Sequence, residues 1–568
     1  MTAIHKRSEF DAIVVGSGMT GGWAAKELCE KGLKTLVLER GRSIEHITDY
    51  TTEHKRDHQL PHRGKVPVRE AEREYSVGKD VYLFDESTKH FFINDRRNPY
   101  QTKRPFRWIR GNQVGGRSLL WARQCYRWSD LDFEANMKDG HGVDWPIRYA
   151  DIAPWYDYVE SFVGISGEAL GLPQLPDGVF QKPMELTAVE KHVRDSIKAS
   201  FPGRTMTIGR SAVLTEPLNG RAPCHYCGTC ERGCSTASYY SSLSVTLPAA
   251  MTTGNMTLRA HSLVHSLIYD EETNRVKGVR VVDHETGEVS EVFAGVVFLC
   301  ASTLASTQIM MNTKTPRFPN GIANGSGELG HNLMDHHMGV DGYGYSDDFA
   351  DRYYSGVRPN GIYIPRFRNI DKASSTDKFV RGYAYQGSSN RMGWGRANRQ
   401  AGVGVELKER LRDPGPWEMQ LWGYGECLPD HENQVHLSEE ADEWGLPILV
   451  LDSDWGPNER AMRPEMVSSA REMLEASGLR DVRVDNALDA NPQGFAIHEM
   501  GTARMGRDPR TSVLNGWNQA HEVPNLFVTD GACMTSSAVQ NPSITYMALT
   551  ARAVNYAVEQ LKRGDLRV

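Results

Sequence analysis

Asp11-Ala-Ile-Val-Val15, Gly16-Ser17-Gly18-Met19-Thr20-Gly21 and Lys34-Thr-Leu-Val-Leu38-Glu39 decide the fold. The first segment is short, apolar and β-branched, the composition of a parallel strand buried on both faces. The third has the same character and ends on an acid. Between them the pattern predicts a helix from about Gly22 to Lys31. Together they make a βαβ unit of about 30 residues whose turn reads G-x-G-x-x-G. Glycines at 16, 18 and 21 allow a tight turn and a close backbone approach to a pyrophosphate, which the free N–H groups of the following helix can hold. Glu39 stands eighteen residues beyond Gly21, placed to accept from a ribose 2′-hydroxyl and to repel a 2′-phosphate. The expectation is a dinucleotide site, and the motif by itself does not separate FAD from NAD.

The chain of 568 residues is long enough for a large core and more than one domain. Its 65 basic and 72 acidic residues leave a net charge of −7, which excludes a strongly basic nucleic-acid binder. No run of about 18 apolar residues predicts a transmembrane helix. Met1 to Phe10 contain neither an apolar stretch nor a twin arginine, so no export signal is expected on this chain, although export on a partner's signal stays open.

Residues 45–105 are polar and irregular, the composition of a surface excursion or lid. Trp145-Pro-Ile147 and Ala153 to Glu160 predict a turn leading into a helix. Val276–Val282 and Gly295–Cys300 predict strands, with Asp283–Gly287 as a hairpin-type turn after the first. From about 340 to 490 short alternating segments with aromatic residues predict a mostly antiparallel sheet. Asn525–Thr529 predicts a last strand, and about Pro542 to Lys562 a last helix.

Two further groups carry chemistry. Gly111-Asn-Gln-Val-Gly115-Gly116-Arg117-Ser118 is a second glycine-rich loop, and His498-Glu499-Met500-Gly501-Thr502, Asp530-Gly531 and Asn541-Pro542 recur near the C-terminus. An extended FAD that touches distant segments suits this arrangement better than NAD. With Trp145-Pro146-Ile147, Leu329-Gly330-His331-Asn332-Leu333-Met334-Asp335-His336 and Asn541-Pro542-Ser543-Ile544-Thr545, the chain resembles the glucose–methanol–choline (GMC) oxidoreductase family from residue 11 to about 560. The similarity is nearest to FAD-dependent sugar dehydrogenase catalytic subunits (glucoside 3-dehydrogenase, glucose dehydrogenase, gluconate dehydrogenase) and pyranose oxidase. It implies an α/β fold with a GMC-type, Rossmann-like FAD domain and a substrate domain of mostly antiparallel sheet and helices. The expected division is 1–50, 105–165, 235–340 and 495–568 for the FAD domain. Residues 51–104, 166–234 and 341–494 form the substrate domain, with the lid and a cysteine segment.

The resemblance also implies roles. His498 resembles the family's histidine beside flavin N5, and Asn541 its second catalytic residue. A neutral imidazole can take the hydroxyl proton as a C–H bond is oxidised, while an amide holds the substrate oxygen in register. Gly16, Gly18, Gly21, Glu39, Gly115, Gly116, Ser118, Asp530 and Pro542 are the expected FAD contacts. The family's Gly-Gly-Ser-Ser loop with a downstream Asn reads Gly115-Gly116-Arg117-Ser118-Leu119-Leu120-Trp121 here. In pyranose oxidase a histidine just before that Trp tethers FAD. Leu120 occupies its place, so non-covalent FAD is expected.

Four of the nine cysteines, Cys224, Cys227, Cys230 and Cys234, fall within eleven residues in the spacing C-x2-C-x2-C-x3-C. This resembles a ferredoxin segment with Ser235 in place of Pro, and the cysteine segment of glucose dehydrogenase catalytic subunits. The resemblance implies an iron–sulfur cluster, either 3Fe-4S, for which Cys224, Cys230 and Cys234 fit the spacing and Cys227 is extra, or 4Fe-4S. Structural zinc or a metal-free or disulfide-bonded segment are the alternatives. His54, His58 and His62 are spaced by four, but Pro61 interrupts any helix that would align them as metal ligands. Tyr383, Tyr385, Trp394, Trp422 and Tyr424 suit sugar stacking or, more ordinarily, a core.

The function implied is oxidation of a secondary hydroxyl of a pyranose or glycoside to a ketone, as in a glucoside 3-dehydrogenase. Electrons would pass to an external acceptor, a cytochrome or quinone-linked partner, alongside a small subunit. The alternatives are an oxygen-dependent pyranose or glycoside oxidase, a gluconate or polyol dehydrogenase, and an FAD-binding electron-relay subunit. The compartment is either a bacterial periplasm, reached with a signal-bearing small subunit, or the cytoplasm.

Overall fold

β1 (Phe10–Val15), α1 (Met19–Glu30) and β2 (Thr35–Leu38) form the expected unit, with the two strands parallel and Val15 opposite Leu38. The protein is described by a computed structural model, which covers residues 9–566. Residues 1–8, within the stretch read as lacking an export signal, lie outside the described residues. α1 begins three residues before the expected start at Gly22, because Met19, Thr20 and Gly21 belong to the helix rather than the turn. A Cβ on Gly21 would stand 1.9 Å from the carbonyl oxygen of Gly16, and one on Gly22 would stand 2.4 Å from Thr246 Oγ1. Close packing of the helix on the turn after β1 and on the segment Ser242–Thr246 requires glycine there.

The sheet runs Met256–Arg259, β2, β1, Val289–Leu299, Arg275–Asp283, Ser262–Asp270, and Leu526–Val528 also pairs with Val289–Leu299. Val289–Leu299 plays two parts. Ala294–Leu299 pairs parallel with β1, and Val297–Leu299 pairs parallel with Leu526–Val528. Val289–Phe293 instead pairs antiparallel with Gly278–Val282, across the expected turn at Asp283–Gly287. The parallel half is apolar and buried on both faces, as helices cover it. One of these is Ser543–Arg563, which packs on α1 and on Tyr149–Val163.

The second sheet is antiparallel throughout: Arg480–Asn486, His337–Ser346, Trp417–Gly425, Tyr383–Arg391, Ile362–Ile364, Thr207–Ile208. Helix Pro457–Ala476 crosses it and buries Met462, Met466, Met473 and Leu474, each worth roughly 1.5–3 kcal/mol as burial of an apolar side chain. Tyr383 and Tyr385 are core residues of this layer. Trp394, expected in a strand, lies in the turn Trp394–Arg399 and is 73% exposed. The polar stretch 45–105 is mostly irregular, with one short helix at Val68–Glu74, and is fastened by Gln101–Thr102 beside Pro447–Asp452. Among the described residues no helix is long and apolar enough to cross a membrane.

Candidate active site

One cavity of about 450 Å³ runs from the glycine turn to the C-terminal histidine, and Gly16, Gly18, Glu39, Gly116, Ser118, His498, Asp530, Asn541 and Pro542 all line it. At the β1 end, α1 has no side-chain cap, so its first N–H groups are free for an anion. A Cβ on Gly18 would find no protein atom nearer than the Gly115 carbonyl oxygen at 4.0 Å, which leaves the turn open to a ligand. The Glu39 carboxylate accepts from Ser17 N (3.1 Å), Ser17 Oγ (2.7 Å) and Gly41 N (2.9 Å), and so is held rigidly at the cavity wall.

The two glycine loops are joined by serines. Gly115 N donates to Ser17 Oγ (2.9 Å), Ser118 Oγ donates to Gly115 O (2.6 Å), and Ser242 Oγ donates to Ser17 O (2.8 Å). The Ser118 hydroxyl is thus engaged in holding the loop, although the residue lines the cavity. Ser17 stands within the glycine motif itself, whereas for Ser242 the serine run at 241, 242 and 244 is the only signal in the sequence. Arg117, the departure from the family loop, forms a two-pronged pair with Glu499 at 2.9 and 3.1 Å. It therefore anchors the residue next to His498, and the carboxylate holds its guanidinium firmly cationic.

The histidine is set in a chain of hydrogen bonds whose direction can be deduced. Ala538 O can only accept, so His336 Nε2, 2.9 Å away, carries its proton. His336 Nδ1 is then an acceptor, and the proton between it and His498 Nδ1 (2.8 Å) belongs to His498. His498 Nε2 is left as a lone pair, facing Asn541 Nδ2 at 3.3 Å. Asn541 Oδ1 accepts from Gln386 Nε2 (2.6 Å), which fixes the amide's orientation. Sequence reading passed over Gln386 and quoted His336 only within a family-like segment. Gln386 gave no sequence signal.

The backbone supports the same arrangement. Ile497, β-branched, sits at φ 62°, a strained conformation that turns His498 inward. Asp335 accepts from Gly494 N, Ala496 N and His498 N at 2.8–3.1 Å and holds this turn. Burial, with the nearby Glu499, pushes Asp335 up to about 7. Burial, with His336 and Arg117 nearby, drives His498 well below the ordinary imidazole value, and burial lowers His336 to about 4. Asp530 is raised to about 6 by burial and accepts from Ser306 Oγ and from Ala532 N at 3.0 Å. Pro542 precedes the helix Ser543–Arg563 and so presents Asn541 at a helix N-terminus.

These features fit FAD: an open glycine turn, an uncapped helix, a fixed acid, and a buried Tyr546 hydroxyl on the cavity wall without a hydrogen-bond partner. The match to known proteins agrees. GMC oxidoreductase models match residues 10–338 and 429–550. The chain belongs to the GMC oxidoreductase family. As a GMC enzyme it is an FAD-dependent oxidoreductase acting on CH–OH groups. It is 27% identical to 2-methyl-1,2-propanediol dehydrogenase of Mycolicibacterium austroafricanum, over 96% of this chain and 94% of that one. It is 26% identical to the fructose dehydrogenase large subunit of Gluconobacter japonicus, over 98% of each. The GMC fold is shared with formate oxidase of Aspergillus oryzae, at TM-score 0.62 and 16% identity over 99% of this chain and 100% of that one.

The cysteine segment is built differently from the rest of the GMC site. Cys227 is exposed, Cys224, Cys230 and Cys234 are half-buried, and all four are free thiols. Among the described residues no three His, Cys, Asp or Glu side chains converge as a metal site. The segment nevertheless abuts the cavity: Arg123 lines the wall, and its Nη1 donates to Glu231 Oε1 at 2.6 Å. Tyr424 lines the cavity near His498, with ring centroids 6.4 Å apart.

Proposed function

We propose that this GMC enzyme is a sugar dehydrogenase that oxidises a secondary hydroxyl of a pyranose or glycoside to a ketone, in the manner of a glucoside 3-dehydrogenase. The observation that carries the reading is the unprotonated His498 Nε2 facing Asn541, in a cavity also lined by Gln124, Arg123, Trp121 and Tyr424. That wall mixes hydrogen-bonding and aromatic surface, which suits a polyhydroxylated ring. The name of the fructose dehydrogenase relative supports a sugar, and that of the propanediol dehydrogenase supports the polyol alternative.

In this reading the Asn541 amide positions the substrate oxygen and His498 Nε2 takes the hydroxyl proton. FAD, held non-covalently because Leu120 offers no linking atom, supplies the acceptor for the hydride that leaves carbon. The depressed basicity of His498 keeps it unprotonated through neutral pH and lets it return the proton to solvent. Gly16, Gly18, Glu39, Gly116, Ser118, Asp530 and Pro542, which line the cavity, would hold the cofactor, while Gly21 and Gly115 shape the two turns around it. The cysteine segment as arranged is not a closed ligand set. Its spacing supports an iron–sulfur cluster formed on assembly, with a small subunit and a cytochrome or quinone-linked acceptor as partners.

Anaerobic mixing of the holoenzyme with methyl glucosides tests this. Rapid loss of flavin absorbance, with a carbonyl at C3 located by borodeuteride reduction and NMR, is the expected result. Bleaching by gluconate or small diols alone would replace the sugar assignment. Hydrogen peroxide formed in air at the same rate would replace the dehydrogenase one. No bleaching by any alcohol would leave a relay subunit. About three or four irons per flavin, with matching sulfide, are expected of the cysteine segment, and flavin alone would remove the cluster.

A further inference from the structure

Residues 54–65 form an exposed strap in which His54, Lys55, Arg56, His58, His62, Arg63 and Lys65 stand against a single acid, Asp57. Four permanent cations against one carboxylate give the strap a charge of +3 in a chain whose net charge is −7. Asp57 lies 3.6 Å from Arg232 of the neighbouring cysteine segment and is itself exposed, so it offsets only part of the strap's charge. The strap forms no α-helix. It consists of two single turns, Asp57–Gln59 and Pro61–Gly64, with His62 and Arg63 at φ 49° and 55°. Two consecutive non-glycine residues in the left-handed region hold their side chains outward at a cost in backbone energy.

The strap is laid directly on the cysteine segment. Arg232 Nη1 donates to Lys55 O at 2.8 Å, and Ser235 N donates to Glu53 Oε1 at 2.9 Å. On the other flank of that segment Val357 N donates to Tyr226 O at 2.8 Å, and Tyr353 and Val357 are 71% and 58% exposed. Inward, Glu231 receives Arg123 from the cavity wall. The sequence of contacts from cavity to solvent is therefore Arg123, Glu231, Arg232, strap. A cationic strap on one flank of the cysteine segment and an exposed apolar pair on the other, both a few side chains from the redox cavity, have the make-up of a transient electron-transfer interface.

We propose that the strap 54–65, with Tyr353 and Val357, is the docking surface for an acidic, one-electron acceptor protein. The inference rests on the dehydrogenase reading above, but on neither the sugar nor the cluster. Oxidising one CH–OH to C=O releases two electrons and two protons. Two acceptor molecules docking in turn remove the electrons, and the protons pass to water. The overall negative charge of the chain repels such a partner at long range, so the local patch must both attract and orient it.

The test uses the holoenzyme with its flavin photoreduced anaerobically, so no sugar substrate is needed and failure of the sugar assignment is read separately. Reoxidation is followed in a stopped-flow instrument with plastocyanin as an acidic probe, cytochrome c as a basic one and benzoquinone as a neutral one. With wild type the plastocyanin rate constant should fall by about tenfold or more between low and high salt. The variant K55E/R56E/R63E/K65E should lose about tenfold toward plastocyanin at low salt, gain toward cytochrome c and keep its benzoquinone rate. An unchanged plastocyanin rate in the variant would overturn the proposal. So would an equal loss with benzoquinone, which would make the strap structural. Tyr353→Ser with Val357→Ser should slow plastocyanin without altering its salt dependence.

Discussion

The histidine end of the cavity and the cysteine segment differ in a way that sequence spacing hides. His336, Gln386, His498 and Asn541 come from positions up to 205 residues apart, yet the hydrogen bonds that join them each have a definite donor and acceptor. The four cysteines lie within eleven residues, yet they stay free and form no closed set. Closeness along the chain is not convergence in space. Convergence requires that rigid elements aim side chains at one point. A strand end, a strained turn and a helix N-terminus do this for the histidines, whereas the cysteines ride on a loop.

The contrast can be broken first at His498. His498→Ala should slow flavin reduction by roughly 10²–10⁴-fold with little change in substrate binding, as expected for loss of a general base. A loss below about threefold would show that the chain of hydrogen bonds is structural. A smaller effect is expected at His336, which acts through His498. His336→Ala should cost between about tenfold and 10²-fold through misorientation. His336→Gln should restore much of it, because an amide oxygen can still accept from His498 Nδ1. The pH profile adds a second readout. Protonated His498 is inactive and its basicity is depressed, so the acid limb should lie below the usual imidazole value of about 6.5. Removing His336 removes one of the groups that depress it, so the limb should move upward. Coincident profiles would count against the coupling. The smallest effect belongs to the other region: Cys227 is the exposed thiol that a three-cysteine cluster leaves out, so Cys227→Ser should leave activity and stability within about twofold, and a large loss would point to a four-cysteine ligand set.

The nucleotide-binding half was legible because its signals are local. The periodicity of β1 and β2 and the glycines between them specify a βαβ unit without outside help. Its most displaced boundary, the start of α1, came from reading Met19 to Gly21 as turn residues when they already belong to the helix, where Gly21 serves close packing on Gly16. His498 and Asn541 were legible through their family-like surroundings, whereas their partners were not. Gln386 sits in an ordinary strand, and its importance arises only when Tyr383–Arg391 is laid beside the helix that presents Asn541. Arg117 looked like a departure from the family loop until the fold brought it to Glu499. The aromatic residues divided for the same reason: Tyr383 and Tyr385 face the helix Pro457–Ala476, while Tyr424, on the neighbouring strand, reaches the cavity.

The double pairing of Val289–Leu299 has a consequence for how the protein folds. Its antiparallel half closes a hairpin with Arg275–Asp283 over a few residues, a contact that costs little loop entropy and forms early. Its parallel half must capture β1 and Leu526–Val528, each more than two hundred residues away in sequence. Because both halves are one strand, the hairpin sets the alignment before the distant partners arrive. A one-residue slip at the local turn would carry into the parallel half and present the wrong faces to both. The inexpensive hairpin thus acts as a jig for the slow part of the sheet. An insertion near Glu285, far from any catalytic group, would be felt as a failure to assemble the flavin domain.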